Sequence, residues 1–162
     1  MRIATAADGP IYERDIGTDS AATFATRLTE QTRCFVVEGP GPKLVHATWV
    51  TTSAAWTREL GGYLVVPPGD AYVYESFTRP EARGHGIYPL ALAEICKEVA
   101  AEGVERVWVG VEEDNEPSIR AVTKAGFRES FRIRYRRKFG RLQIDPIRYP
   151  PPPTLTLEAR IE

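Results

Sequence analysis

Apolar residues come in short runs broken by glycine and proline clusters, and the period inside each run tells strands from helices. The opening is turn-rich (Asp8-Gly9-Pro10, Gly17, Asp19-Ser20), with room for a short strand near Ile3 or Ile11. Ser20 suits the cap of a helix over 21–31, with Phe24 and Leu28 on one face. Cys34-Phe35-Val36-Val37 reads as a buried strand, Gly39-Pro40-Gly41-Pro42 as a turn and 44–51 as the return strand of a hairpin. Trp49 and Trp56 read as core aromatics. A further apolar run, 63–66, is closed by Pro67-Pro68-Gly69-Asp70.

The central strand pattern, 71–77, leads through a turn at Arg79-Pro80 into two glycines, Gly84 and Gly86. A long helix follows, with Tyr88, Leu92, Ile95, Cys96 and Val99 at helical spacing, Pro89 in its first turn and Gly103 as its stop. Residues 106–111 alternate as a strand, Val107, Val109 and Val111 on one face and Trp108 on the other. Glu112-Glu113-Asp114-Asn115 makes a turn and cap for a helix with Pro117 near its start. Ile119, Val122 and Ala125 or Gly126 define its inner face, and Phe127 plugs the core. Residues 131–139 alternate Phe131, Ile133, Tyr135 and Phe139 with Arg132, Arg134, Arg136 and Lys138, a half-buried strand with a basic outer face. The chain closes on a polyproline spacer over 149–153 and a strand-like patch over 154–157. This order predicts an α+β fold with a mixed, mostly antiparallel central sheet flanked by helices. One domain is expected over 1–140, followed by a Pro-rich extension over 141–162.

Composition narrows the chemistry by exclusion. With 162 residues, 43% apolar and 27% charged, the chain can bury a real core without staples. A net charge of −1 argues against a dedicated nucleic-acid partner. Cys34 and Cys96 stand far apart, without a CxxC, and His46 and His85 fall in different elements, so neither a disulfide framework nor a metal set is expected. No basic-then-apolar leader and no 18-residue apolar run is present, which makes a cytoplasmic setting without a membrane partner the expectation. The positive feature is the glycine loop between strand and helix. Such a loop exposes backbone N–H groups at a helix N-terminus, where the dipole favours an anion. Arg83 adds a cation to it.

Two stretches together resemble the GCN5-related N-acetyltransferase (GNAT) family. Arg83-Gly84-His85-Gly86-Ile87-Tyr88 is similar to its acetyl-CoA loop, R/Q-x-x-G-x-G/A. Asn115-Glu116-Pro117-Ser118-Ile119-Arg120-Ala121-Val122-Thr123-Lys124-Ala125-Gly126-Phe127 resembles its N…(Y)-x-K-x-G-F segment. Either motif alone is weak; both in order, with a helix and a strand between, are specific. The resemblance implies a GNAT-like fold and acetyl-CoA as co-substrate, with its pyrophosphate on Arg83, Gly84, His85, Gly86, Ile87 and Tyr88. It implies that the central strand and the 106–111 strand splay at their ends. Pantetheine then enters between them, pairing along the strand edge at Phe77 and Thr78 with Asn115 close to its arm.

The resemblance also implies acyl transfer from the thioester to a primary amine of a small molecule or peptide. A carboxylate must then take the amine's proton; Glu75 on the central strand is the first candidate for this catalytic role, with Glu112 and Glu113 behind it. A backbone N–H of the same strand can hold the developing oxyanion. Two positions depart from the family pattern. Tyr88, followed by Pro89, stands where the loop usually ends in Gly or Ala, and its spacing directs the ring inward. Val122 stands where the family often carries a tyrosine that protonates the departing thiolate, and valine cannot donate a proton. That substitution and the Pro-rich tail leave a second reading open, a CoA-binding or interaction module that has lost catalysis. The tail also leaves a homodimer open.

Overall fold

A computed structural model describes residues 1–58, 60–138, 141–147 and 156–158. Its main sheet has five strands in the order β1 (Arg2–Ile3), β2 (Thr32–Glu38), β3 (Leu44–Thr51), β6 (Asp70–Thr78) and β7 (Arg106–Val109). Neighbours pair antiparallel except β6 and β7, which run parallel. Their connection is α3 (Ile87–Ala101), as a parallel pair requires a crossover. A second sheet, β4 (Ala54–Thr57), β5 (Gly62–Val65) and β10 (Thr156–Glu158), and a hairpin of β8 (Arg132–Lys138) with β9 (Arg141–Ile147) complete the strands. Helices α1 (Gly9–Asp15) and α2 (Ala21–Arg27) precede β2, and α4 (Glu116–Lys124) follows β7. The hairpin joins residues on both sides of position 140, and β10 adds a strand from the expected extension to β5. The spacer over 149–153 and Phe139 lie outside the described residues.

The main sheet is covered on both faces, and each face has its own core. On one, Phe35, Val50, Ala71 and Val73 pack under Leu92, Ile95 and Val99 of α3, with Val107, Val109, Val122 and Phe127 joining. On the other, Trp49, Cys34 and Val36 pack under Tyr12 and Ile16 of the first helical segment and Phe24 of α2. Trp108 faces away from Val107 and Val109, packing with Leu64, Val66 and Tyr72. Strand β3, buried at all eight positions, is the centre of the molecule.

Several elements differ from the sequence expectation for local reasons. Asp8-Gly9-Pro10 is no turn: a 3-10 turn over Ala6–Asp8 runs into α1, with Pro10 in its first turn. Ile11 is therefore helical and the early strand is Arg2–Ile3. Helix α2 stops at Arg27, because Leu28 is already extended (ψ 120°) and Thr29 closes a turn with Thr32. Trp56 is 44% exposed, an edge-strand residue packed edge-on against Tyr63 and not part of the core. Ile119 likewise points outward at 39% exposed, whereas Val122 and Ala125 face the core.

Candidate active site

Strand β6 changes character halfway along. Asp70, Ala71, Tyr72 and Val73 pair with Arg106, Val107, Trp108 and Val109, and there the parallel ladder ends. Among the described residues no strand pairs with 74–78 on the β7 side, although β3 still holds their other edge. Strand β7 itself stops at Val109, short of the expected 106–111, which leaves that edge of β6 unpaired among the described residues. Just past the end of the ladder, Glu75 adopts φ 46°, alone among the described non-glycine residues in that region. Tyr74 pairs with Trp49 and Phe77 with Ala47, so Glu75 and Ser76 together oppose Thr48. This is a β-bulge, a device that re-aims side chains.

Beyond the bulge, the side chains facing α3 are polar. Ser76 hydrogen-bonds with the hydroxyls of Thr48 and Tyr88, and Thr78 Oγ1 lies 2.8 Å from His46 Nδ1. Tyr88 does turn inward, its ring 5.6 Å from that of His46. His46 is fully buried, and its Nε2 has no partner among the described residues. Burial pushes its pKa down to about 4, so the ring is neutral at pH 7.

The glycine loop sits at the far end of the same strand. Arg83 donates from Nε to the Thr78 carbonyl at 3.0 Å, with its guanidinium 6.0 Å from the Phe77 ring. Arg83, Gly84 and His85 are exposed. Gly86 caps α3 in the left-handed region (φ 73°), and Gly84 has φ 81°. A Cβ built on either meets nothing within 4 Å, so glycine is required there for conformation and leaves open space above the loop. Among the described residues, the backbone N–H groups of Gly84, His85, Gly86, Ile87 and Tyr88 find no protein acceptor. A row of free donors at the start of a 15-residue helix, beside an exposed guanidinium, fits a pyrophosphate.

Asn115 is exposed and caps α4, its Oδ1 accepting the Ser118 N–H at 3.2 Å. Glu112 accepts from the Tyr135 hydroxyl at 2.9 Å and Glu113 pairs with Arg132, so both belong to the contact between the β7 exit and β8. Glu75 faces the other way, toward α2, with a side chain 40% exposed. Its Oε2 accepts from Arg27 at 2.7 Å. Arg27 was not singled out by any sequence pattern. Its spacing from Phe24 marks it as an ordinary helix-end cation, and only the fold brings it to the bulge. The two cysteines are packing residues: burial pushes the Cys34 thiol up to about 12 and raises that of half-buried Cys96. Among the described residues no cluster of metal-ligating side chains occurs, and no helix is long and apolar enough to cross a membrane.

An unpaired strand edge and a bulge thus lie along β6, and an anion-ready helix start stands at the head of α3. Residues 28–127 match the model of the acetyltransferase (GNAT) family, so the chain belongs to that family and is an N-acetyltransferase by class. No curated protein matches it in sequence. Among solved structures it is similar to the aminoglycoside N-acetyltransferase AAC(6')-Iy in complex with CoA, at 14% identity, 85% of this chain, 97% of that one and a TM-score of 0.66. It is also similar to a putative acetyltransferase from Agrobacterium tumefaciens str. C58, at 19% identity over 82% and 97% with a TM-score of 0.59. A third, AAC(6')-IG from Acinetobacter haemolyticus, has 12% identity over 85% and 96% and a TM-score of 0.62. At these identities the likeness concerns the fold.

Proposed function

We propose that this protein transfers an acetyl group from acetyl-CoA to a primary amine of a small molecule or peptide. The observation that carries this reading is the run of unsatisfied N–H groups from Gly84 to Tyr88 beside Arg83. It lies at one end of a strand whose other feature is an edge free to pair. Acetyl-CoA supplies an activated thioester when bound. The chain's own residues do the rest. Arg83 and the loop amides hold the pyrophosphate, and the edge at Phe77 and Thr78 pairs with the pantetheine amides and fixes their direction. Asn115, whose Oδ1 serves the α4 cap, has its Nδ2 to offer that arm.

Glu75 removes a proton from the ammonium of the acceptor and passes it to water, leaving the nitrogen lone pair free to attack. The bulge points this carboxylate toward α2 with its side chain partly in solvent, where a solvated amine can reach it. A backbone N–H beside the bulge holds the developing negative charge. Val122 packs in the apolar cluster under α3 and gives no proton. None is required of the chain, since a free thiol has a pKa of about 8.5 and leaves readily as thiolate. A small amine acceptor agrees with a further fold relative, the aminoglycoside acetyltransferase meta-AAC0020, solved in complex with sisomicin at 12% identity and a TM-score of 0.57.

Two measurements test the reading. Calorimetry with CoA should give a Kd that rises about 10-fold or more in Arg83→Ala, the usual loss for a charge-assisted contact, and further in Gly86→Asp. Thiol release from acetyl-CoA should require an added amine. Absence of CoA binding overturns the proposal. Binding without release for any amine supports the module without turnover that Val122 suggests.

A further inference from the structure

Arg27 sits in the last turn of α2, 48 residues before the bulge in sequence and in direct contact with it in space. Its guanidinium lies 4.0 Å above the Trp49 ring and 5.6 Å from that of Tyr74. It pairs with Asp19 and with Glu75 Oε2, and hydrogen-bonds to Tyr74. The seat under it is rigid. Trp49 is fully buried, its indole N–H donates to the Tyr12 hydroxyl at 3.0 Å, and Tyr12 packs 4.3 Å from Phe24. Helix α2 is fixed in turn by the Ser20 cap and by Glu13, which accepts from the Ala21 N–H at 2.8 Å.

This arrangement exceeds what holding α2 to the sheet requires. A guanidinium stacked on tryptophan is desolvated and pinned, and its donors point in fixed directions. Nη1 of Arg27 lies between the two carboxylates, meeting one oxygen of Asp19 and a single oxygen, Oε2, of Glu75. Asp19 keeps the cation compensated whatever the charge on Glu75. The bulge carboxylate can therefore gain and lose a proton without Arg27 leaving its seat.

We propose that Arg27 is the positioning residue for Glu75. It clamps Oε2 against the Trp49–Tyr74 floor, so that Oε1 stays directed at the acceptor amine and takes its proton. Arg27 itself touches neither substrate nor the reacting atoms. The inference rests on the reading of Glu75 as the base. The other charged or titratable groups around the pair are Asp19 before α2, Tyr12 of α1, Cys34 of β2 and Tyr74 of β6. Tyr12, Cys34 and Tyr74 are all held protonated at neutral pH by burial, so Asp19 and Glu75 are the anions that face the cation.

The test is a double-mutant cycle on thiol release from acetyl-CoA, with sisomicin and a panel of primary amines as acceptors. CoA affinity and melting temperature are recorded for each variant. Glu75→Gln should lower kcat about 100-fold, the usual scale for losing a positioned base. Arg27→Met should lower it about 10-fold with the CoA Kd unchanged, and Arg27→Lys, which keeps the charge on the indole, should recover part of that loss. The decisive variant is Arg27→Met with Glu75→Gln, expected to match Glu75→Gln alone, because a clamp has no effect without the group it clamps. Multiplying losses in the double variant would make Arg27 a structural brace and overturn the inference, as would a normal kcat in folded Arg27→Met. If Arg27→Met does not fold, the same cycle with Arg27→Lys decides between coinciding and multiplying losses. A normal kcat in Glu75→Gln removes the base reading itself, whereas a low kcat there with a normal one in the Arg27 variants removes only the clamp.

Discussion

The two halves of β6 share one backbone and do different work. From Asp70 to Val73 every side chain is buried and every residue pairs with β7, Tyr72 and Val73 pair with β3 as well, and Asp70 accepts from Trp108 Nε1 at 2.7 Å and from Arg106 at 3.1 Å. From 74 to 78 one edge has no strand among the described residues, a residue is bulged, and the side chains are polar or half-exposed. The first half is satisfied within the protein. The second half leaves donors and acceptors that only a ligand, or water, can complete, and a partly satisfied strand held by a fully satisfied one is what a binding site needs.

Substitutions that respect this division should separate stability from activity. The largest loss of stability is expected at Trp49, the floor beneath both halves: Trp49→Ala should cost about 3–5 kcal/mol by urea unfolding. Next comes a pH effect from His46. Its folded-state pKa of about 4 lies below the usual value of about 6.5, so the unfolded chain binds the extra proton first. Stability is therefore full above pH 6.5 and falls as the pH drops toward 4, by roughly 3 kcal/mol at most. His46→Leu should flatten that window. The loss below pH 4 should remain, because Asp8 and Asp15, both held down to about 2 by arginine partners, titrate there.

Glu75→Gln should lose activity while its unfolding free energy stays within about 1 kcal/mol of wild type, since its ion pair is partly solvated. A modest effect is expected at Gly86. Alanine meets no neighbour there and should cost only the strain of the left-handed backbone, about 1–2 kcal/mol, while weakening CoA more than it weakens the fold. Equal losses of stability and affinity in that variant would erase the contrast between the halves.

What could be read from the sequence was what repeats. The β2–β3 hairpin, the strand–loop–helix unit at Gly84 and Gly86, and the alternation of Val107, Trp108 and Val109 all declare themselves by spacing, and each stands in the fold as expected. Helix α1 was hidden because Gly9-Pro10 reads as a turn, although Tyr12 and Ile16, four apart and both buried, carry a helical signal. Gly9 is itself explained by packing: a Cβ there would stand 2.9 Å from the Ala21 carbonyl oxygen, so it lets α1 and α2 meet. Strand β4 is four residues long, too short for alternation to show, which is why Trp56 passed for a core residue. The loop residues of the site were legible through their motif. Arg27, its aromatic seat and the Glu75 bulge were not, because a contact across 48 residues leaves no local pattern.

Amide hydrogen exchange with and without CoA examines the divided strand directly. Protection on adding CoA should appear at residues 74–78 and at 84–88, while Tyr72 and Val73, already paired on both edges, exchange slowly in either state. Protection spread evenly along β6, or absent from the loop amides, would contradict the account.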